Sequence, residues 1–205
     1  EELEFENFNA ASAKIKINGC SVHPGYAKDK MINAALVAME FNSLLPELER
    51  PSRTEGYDGF YHLISVKGIC DSAELTYIIR DHDEAKLKYR VDYIHRAADE
   101  INRRYGANVA TAETGFDYKN MRCIIEQHMH LVDSANEAIR MAGGEPYAEP
   151  VRGGTDGCVL SFMGLPCPNL GTGGYNFHGK FEFTCIEQMD SAVEMIKNLV
   201  QIYGK

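Results

Sequence analysis

The chain has 205 residues, of which 44% are hydrophobic, and this supports ordinary cores in one large or two small domains. A formal net charge of -9 and the absence of a Lys/Arg cluster argue against nucleic acid or an anionic membrane as a partner. No apolar run reaches the ~20 residues of a membrane span, and the N-terminus lacks a signal-peptide pattern, so we expect a cytoplasmic protein.

The N-terminus and the cysteines add two expectations. The sequence opens on Glu1-Glu2-Leu3 without an initiator Met, which suggests a fragment of a longer protein. Its six cysteines form no CxxC pair, which argues against a disulfide framework and a structural zinc site. We expect most of them to be buried free thiols.

The first half of the chain alternates strand and helix patterns. Residues 11–17 alternate with the period of a strand and end at the turn signal Asn18-Gly19. Further elements are predicted at 31–45 (helix), 60–69 and 73–79 (a strand hairpin), 84–105 (helix) and 108–113 (strand). This β-α-β-β-α-β order over about residues 10–115 predicts a ferredoxin-like unit, with a four-stranded antiparallel sheet and two helices on one face.

The second half is richer in glycine loops. Its predicted elements are a helix at 129–142, a strand at 146–151, a helix at 155–163, a strand at 166–171 and a helix at 184–203. These ~90 residues look like part of an α/β layer and approach the low end of what builds a core. We therefore expect this half to need a partner segment.

A glycine loop with an arginine lies between the predicted strand at 146–151 and the next helix. In Arg152-Gly-Gly-Thr155-Asp156-Gly157, backbone N–H groups and the helix N-terminus favour an anion, and the planar guanidinium of Arg152 suits a carboxylate. The nucleotide-loop spacings are absent. The alternative is a tight turn in which Thr155 or Asp156 caps the helix.

Two polar residues stand at the ends of strands in the first half. His23 precedes Pro24 in a stiffened loop, which suits a catalytic histidine or an ordinary turn. Arg80 follows an apolar run and is either a ligand contact or an edge charge paired with Asp81 or Asp83.

His178 stands in the stretch Gly173-GYNFHGKFE-Phe183 and could be a metal ligand, a proton shuttle or a turn residue. A zinc site needs at least three protein ligands, and nothing else in the chain offers a matched set. His62, His95, His128 and His130 lack partners at metal spacing and are expected at the surface or in the core. Either His178 is no ligand or the other ligands lie outside this chain.

Several long blocks, in order, resemble the peptidase T family of zinc-dependent aminotripeptidases. They include Val22-His-Pro-Gly25, Thr54-EGYDGFYH-Leu63, Tyr77-Ile-Ile-Arg-Asp81, Pro150-VRGGTD-Gly157 and Thr172-GGYNFHG-Lys180. The resemblance covers nearly the whole chain and places it in the C-terminal half of proteins about twice this length.

The resemblance implies a domain plan. Residues 1–9 would connect from the catalytic domain, 10–116 would form the ferredoxin-like lid and dimerisation domain, and 117–205 would form the C-terminal part of the α/β catalytic domain. A homodimer through the lid domain is expected. The remaining zinc ligands would lie upstream, in a missing N-terminal catalytic half.

The resemblance also implies roles for individual residues. His178 would be the C-terminal ligand of a two-zinc site, and His23 would reach the partner subunit's site to stabilise the oxyanion. Substrate contacts would come from Arg80, Arg152, Thr155, Asp156 and, more weakly, Asn176.

The expected function is therefore that of a dinuclear zinc aminopeptidase that removes the N-terminal residue of tripeptides by attack of a metal-activated water. With at most one zinc ligand, the isolated chain is expected to be inactive. The alternatives are a non-catalytic, truncated dimerisation module and a related dipeptidase or N-acyl amino acid deacylase.

Overall fold

The structure is a computed structural model that describes residues 2–204. The chain forms two compact units. One spans Phe8–Tyr118 and is called the central unit below. The other consists of the described residues before and after it and is called the flanking unit.

The central unit is an antiparallel four-stranded sheet with two helices. After the short strand β1 (Glu2–Glu4) of the flanking unit, its elements are β2 (Asn9–Asn18), α1 (Ala34–Leu44), β3 (Phe60–Gly68), β4 (Ser72–Asp81), α2 (Glu84–Tyr105) and β5 (Ala110–Tyr118). The strand order is β3-β4-β2-β5, so the two inner strands are the first and third of the unit. This arrangement confirms the predicted ferredoxin-like fold.

Alternation along the strands explains the core of the central unit. In β4 every second side chain from Ala73 to Asp81 is buried, because successive side chains point to opposite faces of a sheet. The buried face packs against α1 and α2, whose inner residues include Phe41 and Ile94, each 0% exposed. The sequence pattern thus places one apolar face of each element in a common core.

The helix ends follow the expected chemistry. The side-chain oxygen of Asn33 accepts hydrogen bonds from the N–H groups of Ala35 and Leu36 at the start of α1. Asp83 accepts from Lys86 N at the start of α2, and Gly106 follows the last turn with a φ of 116°. The bounds of α2 coincide with the predicted 84–105.

Strand β5 differs from its prediction. It covers Ala110–Tyr118 rather than 108–113. A register shift between Ala10 and Ala11 accompanies its pairing with β2 and lets pairing continue to Tyr118. A bulge depends on how two strands pair, so the residue pattern of one strand does not predict it.

The flanking unit contains helices and very short strands. They are α3 (Arg122–Ile125), α4 (His130–Met141), β6 (Tyr147–Ala148), α5 (Asp156–Phe162), β7 (Asn169–Leu170), β8 (Gly174–Tyr175), β9 (Phe183–Thr184) and α6 (Ile186–Tyr203). Strand β1 pairs in parallel with β6 and antiparallel with β7, and β8 pairs with β9. The prediction missed β1, α3, β8 and β9.

The strands predicted at 146–151 and 166–171 are wrong in extent, since each keeps only two residues. Prolines explain the loss, because Pro146, Pro150, Pro166 and Pro168 have no N–H to donate to a ladder. Pairing therefore starts after Pro146 in β6 and after Pro168 in β7.

The cysteine prediction is partly wrong. All six cysteines are free, but only Cys158 is buried. Cys20 and Cys123 are exposed, and the other three are half-buried.

Candidate active-site residues

The predicted site residues fall into two groups. His23 and Arg80 belong to the central unit, whereas Arg152, Thr155, Asp156, Asn176 and His178 belong to the flanking unit. Within the flanking unit, the first three surround the start of α5 and the last two share one turn between β8 and β9.

His178 lies exposed in a tight turn that its own neighbours hold closed. The N–H of Gly179 donates to the carbonyl of Asn176 at 2.9 Å, and the side-chain amide of Asn176 donates to the Phe181 carbonyl at 3.2 Å. The backbone N–H of His178 donates to Oε2 of Glu182 at 3.2 Å. Side chains at both ends of the turn therefore fix the backbone that carries the imidazole.

The residues with left-handed backbone in this turn are not glycines. Asn176 has a φ of 56° and His178 a φ of 62°. Asparagine tolerates this region, but for histidine it is uncommon and costs on the order of 1 kcal/mol. Strain of this kind is found most often at functional sites, and here it falls on the predicted ligand.

Thr155 takes the role of helix cap at the start of α5. Its Oγ1 accepts a hydrogen bond from Cys158 N at 3.3 Å, as the turn interpretation predicted. Asp156 follows in the first helical turn and is exposed. Arg152 is half-buried just before this turn.

Gly157 fixes the packing behind this turn. A Cβ atom at this position would lie 2.4 Å from the Cys167 carbonyl oxygen and 2.6 Å from Oδ1 of Asn169. Only glycine allows such an approach, so α5 lies directly against the segment that leads into β7.

A cavity of about 180 Å³ lies beside the glycine loop of the flanking unit. Its lining includes the carboxylates of Glu2 and Glu4 on β1, the loop from Leu170 to Tyr175, and Phe177. Burial raises the pKa of Glu4, although a hydrogen bond from the Asn169 amide at 3.1 Å opposes the shift.

Sequence reasoning missed both carboxylates of this cavity. The available signal was the alternation Glu2-Leu3-Glu4, in which Leu3 is buried and the two glutamates share the other face of β1.

His23 caps a short 3₁₀ turn, Pro24–Tyr26, in the central unit. Its Nδ1 accepts a hydrogen bond from the N–H of Gly25 at 3.1 Å. An accepting Nδ1 carries no proton in the neutral ring, so Nε2 carries the proton and is the available donor. The exposed ring thus presents an N–H group to its surroundings.

Arg80 is held on the face of the sheet opposite to the helices. Its Nη1 donates to the carbonyls of Ala11 at 3.0 Å and Ile79 at 2.9 Å, and its guanidinium lies 5.2 Å from the ring centre of Tyr118. The predicted edge pair with Asp81 or Asp83 is wrong. Arg80 lies 3.8 Å from Asp117, because Asp81 points to the other face.

Asp81 instead belongs to an ion cluster with Arg90 and Glu49, in which Asp81 is buried and Glu49 is half-buried. Arg90 Nε donates to Asp81 Oδ2 at 3.0 Å, and Arg90 Nη1 bonds the Glu49 carboxylate. The Asp81 side chain is only 2% exposed and the Glu49 side chain 39%, and the three residues line a cavity of about 320 Å³.

Within residues 2–204, no three His, Cys, Asp or Glu side chains lie close enough together to hold a metal ion. The described residues therefore do not by themselves supply the three protein ligands that a zinc site needs, and His178 stays a predicted ligand.

Comparison with known proteins finds one matching domain family and several similar sequences. Residues 5–106 match the family described as peptidase dimerisation domain. Over 203 residues, or 99% of the chain, the sequence is 53% identical to peptidase T of Caldanaerobacter subterraneus. It is 50% identical over 204 residues to peptidase T of Clostridium perfringens. Nearly the whole chain is therefore similar to part of peptidase T. It spans about half the length of the curated relatives it matches, covering 50% of each of these two.

Solved structures share the fold. A tripeptidase from Staphylococcus aureus superposes with a TM-score of 0.82 at 19% identity, covering 98% of this chain and 53% of that one. Aminopeptidase PepT from Bacillus cereus superposes with a TM-score of 0.78 at 20% identity, and the match covers 100% of this chain and 54% of that one. A dinuclear metal-binding peptidase of the M20 family from Bacillus subtilis superposes with a TM-score of 0.61 at 19% identity, and the match covers 96% of this chain and 50% of that one. At these identities the likeness concerns the fold alone.

No helix within residues 2–204 is both long and apolar enough to cross a membrane. The cytoplasmic location stays a prediction.

Proposed function

We propose that this chain supplies the lid and the C-terminal catalytic segment of a zinc-dependent aminopeptidase that acts on tripeptides. The observation that carries the proposal is the 53% identity to a peptidase T over 99% of the chain. Because only half of that relative is covered, the proposal concerns the complete protein, and the isolated chain is proposed to be inactive.

His178 is proposed as the one zinc ligand in this chain. Its exposed position and the hydrogen bonds that hold its strained backbone support this role, since a ligand gains from being fixed before the metal binds. A bound zinc pair would supply an activated water and polarise the peptide carbonyl. The remaining ligands are proposed to lie in the half that this chain does not cover.

His23 is proposed to donate a hydrogen bond to the oxyanion of the tetrahedral intermediate. The bond from Gly25 N to Nδ1 supports this role, because it leaves the proton on Nε2, where a donor is needed. We propose that this ring acts across the dimer, in the active site of a second copy.

Arg152 and Arg80 are proposed to bind the C-terminal carboxylate of the peptide. Their planar guanidinium groups match a carboxylate with two parallel hydrogen bonds. Nη1 of Arg80 already serves two backbone carbonyls, so its other nitrogens would meet the ligand. Thr155 and Asp156 are proposed to shape the loop beside Arg152, and Asn176 to hold the turn of His178 and contact substrate.

The test joins this chain to the half of Caldanaerobacter peptidase T that it does not match. The joined protein is assayed with Leu-Gly-Gly, with the same peptide as its C-terminal amide, and with an N-acyl amino acid. We expect hydrolysis of the free tripeptide only. Isothermal titration should find two tight zinc sites in the joined protein, whereas the 205-residue chain alone should not bind two zinc ions tightly.

Two substitutions sharpen this test. His178→Asn keeps a residue that tolerates a positive φ, so loss of one zinc site with unchanged folding would identify a ligand. His130→Asn, at an exposed position at the start of α4, is the control. Arg152→Gln should raise KM for Leu-Gly-Gly, because the peptide carboxylate loses a bidentate partner. Full zinc binding by His178→Asn, or a preference for N-acyl substrates, would contradict the proposal.

We further propose that the central unit forms a homodimer through α1 and the edge strand β3. Leu36 and Met39 on α1 and Val66 on β3 are 61%, 68% and 58% exposed, and the last two line an apolar groove of about 380 Å³. Its match to the dimerisation family supports a second copy as the occupant, because exposed apolar surface of this kind is typical of interfaces.

Paired substitutions on the two edge strands test this surface. Val66 on β3 and Phe116 on β5 are 58% and 60% exposed. We expect Val66→Glu to give monomers in light scattering and Phe116→Glu to leave the dimer intact. Monomers for Phe116→Glu and dimers for Val66→Glu would instead indicate an interface at β5.

A further inference from the structure

Near its end, strand β5 has one more residue than the stretch of β2 with which it pairs. Ala11 pairs with Phe116 and Ala10 with Tyr118, so Asp117 is an extra residue. In a bulge of this kind, two residues of one strand lie opposite a single residue of its neighbour. Asp117 and Tyr118 therefore both lie opposite Ala10.

Arg80 lies across Ala10 from this bulge, because Ala10 pairs with Arg80 on β4 and with Tyr118 on β5. The guanidinium lies 5.2 Å from the ring centre of Tyr118, and its Nη1 lies 3.8 Å from Oδ2 of Asp117. The other carboxylate oxygen, Oδ1, accepts a hydrogen bond from Ser12 Oγ at 3.1 Å. Since side chains alternate between the faces of a regular strand, only a bulge lets two neighbours contact one guanidinium.

The hydrogen bonds of Nη1 determine which edge of the guanidinium a ligand can use. Nη1 has two hydrogens, and it donates to the carbonyls of Ala11 and Ile79. A carboxylate that binds through two parallel hydrogen bonds therefore needs the edge formed by Nε and Nη2. Only 11% of the Arg80 side chain is exposed, so its orientation decides whether a ligand reaches that edge.

We propose that Asp117 is a positioning residue for Arg80. Held by Ser12, its carboxylate fixes the Nη1 end of the guanidinium, so that the Nε–Nη2 edge keeps one orientation towards a peptide carboxylate. This inference rests on the proposed function, in which Arg80 binds the C-terminal carboxylate of the substrate. An arginine that is already ordered loses less side-chain freedom when its ligand binds, and the affinity rises accordingly.

The negative charge of Asp117 also has an opposite effect, because it repels a carboxylate bound to Arg80. The Asp117 side chain is 39% exposed and contacts Nη1, whereas the ligand would bind the edge formed by the other two nitrogens. Water and salt therefore screen this repulsion, and the ordering of Arg80 is assigned the larger effect. The two effects predict opposite results when Asp117 is neutralised.

NMR of the arginine side chains in the 205-residue chain tests the ordering without any activity. The Nε–H signal of Arg80 is assigned by its loss in Arg80→Lys, and nitrogen relaxation measures its order parameter. We expect about 0.85, as in a rigid backbone, and a fall below about 0.6 in Asp117→Asn and in Ser12→Ala. Glu113→Gln should leave it unchanged, because Glu113 is an acidic residue of β5 that pairs with Lys16 instead. An Arg80 signal that stays rigid in Asp117→Asn and Ser12→Ala would overturn the proposal.

The joined protein described above provides the second measurement. Asp117→Asn and Ser12→Ala should each raise KM for Leu-Gly-Gly about threefold or more and leave kcat within about twofold, because neither residue contacts the reacting atoms. Glu113→Gln should change neither constant. A lower KM for Asp117→Asn with an unchanged KM for Ser12→Ala would mean that repulsion is the main effect, and would overturn the proposal.

The two measurements separate this inference from the proposed function. If the unsubstituted joined protein hydrolyses no tripeptide, the proposed function is contradicted, whereas the order parameters of the 205-residue chain still decide whether Asp117 positions Arg80. If the tripeptide is hydrolysed but Arg80 stays rigid in both variants, the proposed function stands and the inference fails.

Discussion

The central and flanking units differ in how completely their helices are covered. In the central unit, α2 buries six apolar side chains against the sheet over its 22 residues. In the flanking unit, α6 has 18 residues and fully buries only Met195. Both helices are amphipathic, so the difference lies in what each unit offers as a partner layer.

This difference indicates which parts of the chain are complete. A four-stranded sheet gives α1 and α2 a broad apolar surface, and the central unit encloses a continuous core. The two- and three-residue strands of the flanking unit give α6 no such surface. The contrast leads to three predictions, in order of decreasing effect.

The largest effect is expected at the ion cluster of the central unit. Arg90→Leu would leave the carboxylate of Asp81 buried without its cationic partner, which costs about 3–5 kcal/mol. Arg103 on the same helix is 72% exposed and pairs with Glu100, so Arg103→Leu should leave the free energy of unfolding nearly unchanged. Urea unfolding, monitored by hydrogen exchange of amides in the central unit, measures the change in the free energy of unfolding for both variants. Equal costs would mean that the cluster is not a desolvated part of this core.

The next effect compares one substitution in the two units. Ile94 on α2 is 0% exposed, and Ile196 on α6 is 51% exposed. Ile94→Ala should lower the free energy of unfolding by about 2–5 kcal/mol, because it leaves a cavity. Ile196→Ala should change it by about 0.5 kcal/mol or less. A large loss of unfolding free energy for Ile196→Ala in the 205-residue chain would show that the exposed face of α6 is already covered.

The smallest effect is expected at Glu4. Burial raises its pKa in the folded chain, so the folded state binds the proton more tightly than the unfolded state does. Stability from this group is fully present below the unfolded pKa of about 4.3 and declines as the pH rises through the folded value.

Glu4→Gln should therefore raise Tm slightly at pH 7 and leave it unchanged near pH 3.5. Glu137→Gln, at an exposed position of α4, controls for the loss of one negative charge. If Glu4→Gln raises Tm by the same amount at both pH values, the effect does not come from titration of Glu4.

The fold of the central unit was predictable because each of its elements is long and locally patterned. The alternation in 11–17 and the helical spacing up to Gly106 need no knowledge of distant residues. The short strands were not predictable in the same way. Strand β1 exists because Leu3 pairs with Leu170, and no local pattern of three residues specifies such a partner.

The candidate site was predictable in its residue types but not in its geometry. The resemblance selected His178, and its role remains a prediction. The left-handed backbone at Asn176 and His178 could not be read from the sequence, because glycines on both sides offered the more usual positions for it. The accepting Nδ1 of His23 depends on a turn whose exact bonds only the structure displays.

Ile64 shows how β3 accommodates a change in chain length. Leu63 pairs with Tyr77 and Ser65 with Thr76, so Ile64 is an extra residue with no partner in β4. The residues on both sides keep their faces, because the insertion is absorbed where it occurs. Deletion of Ile64 would therefore leave the pairing of the residues on both sides in register. We therefore expect proteins with this fold to differ in length here more readily than in the inner strands β2 and β4.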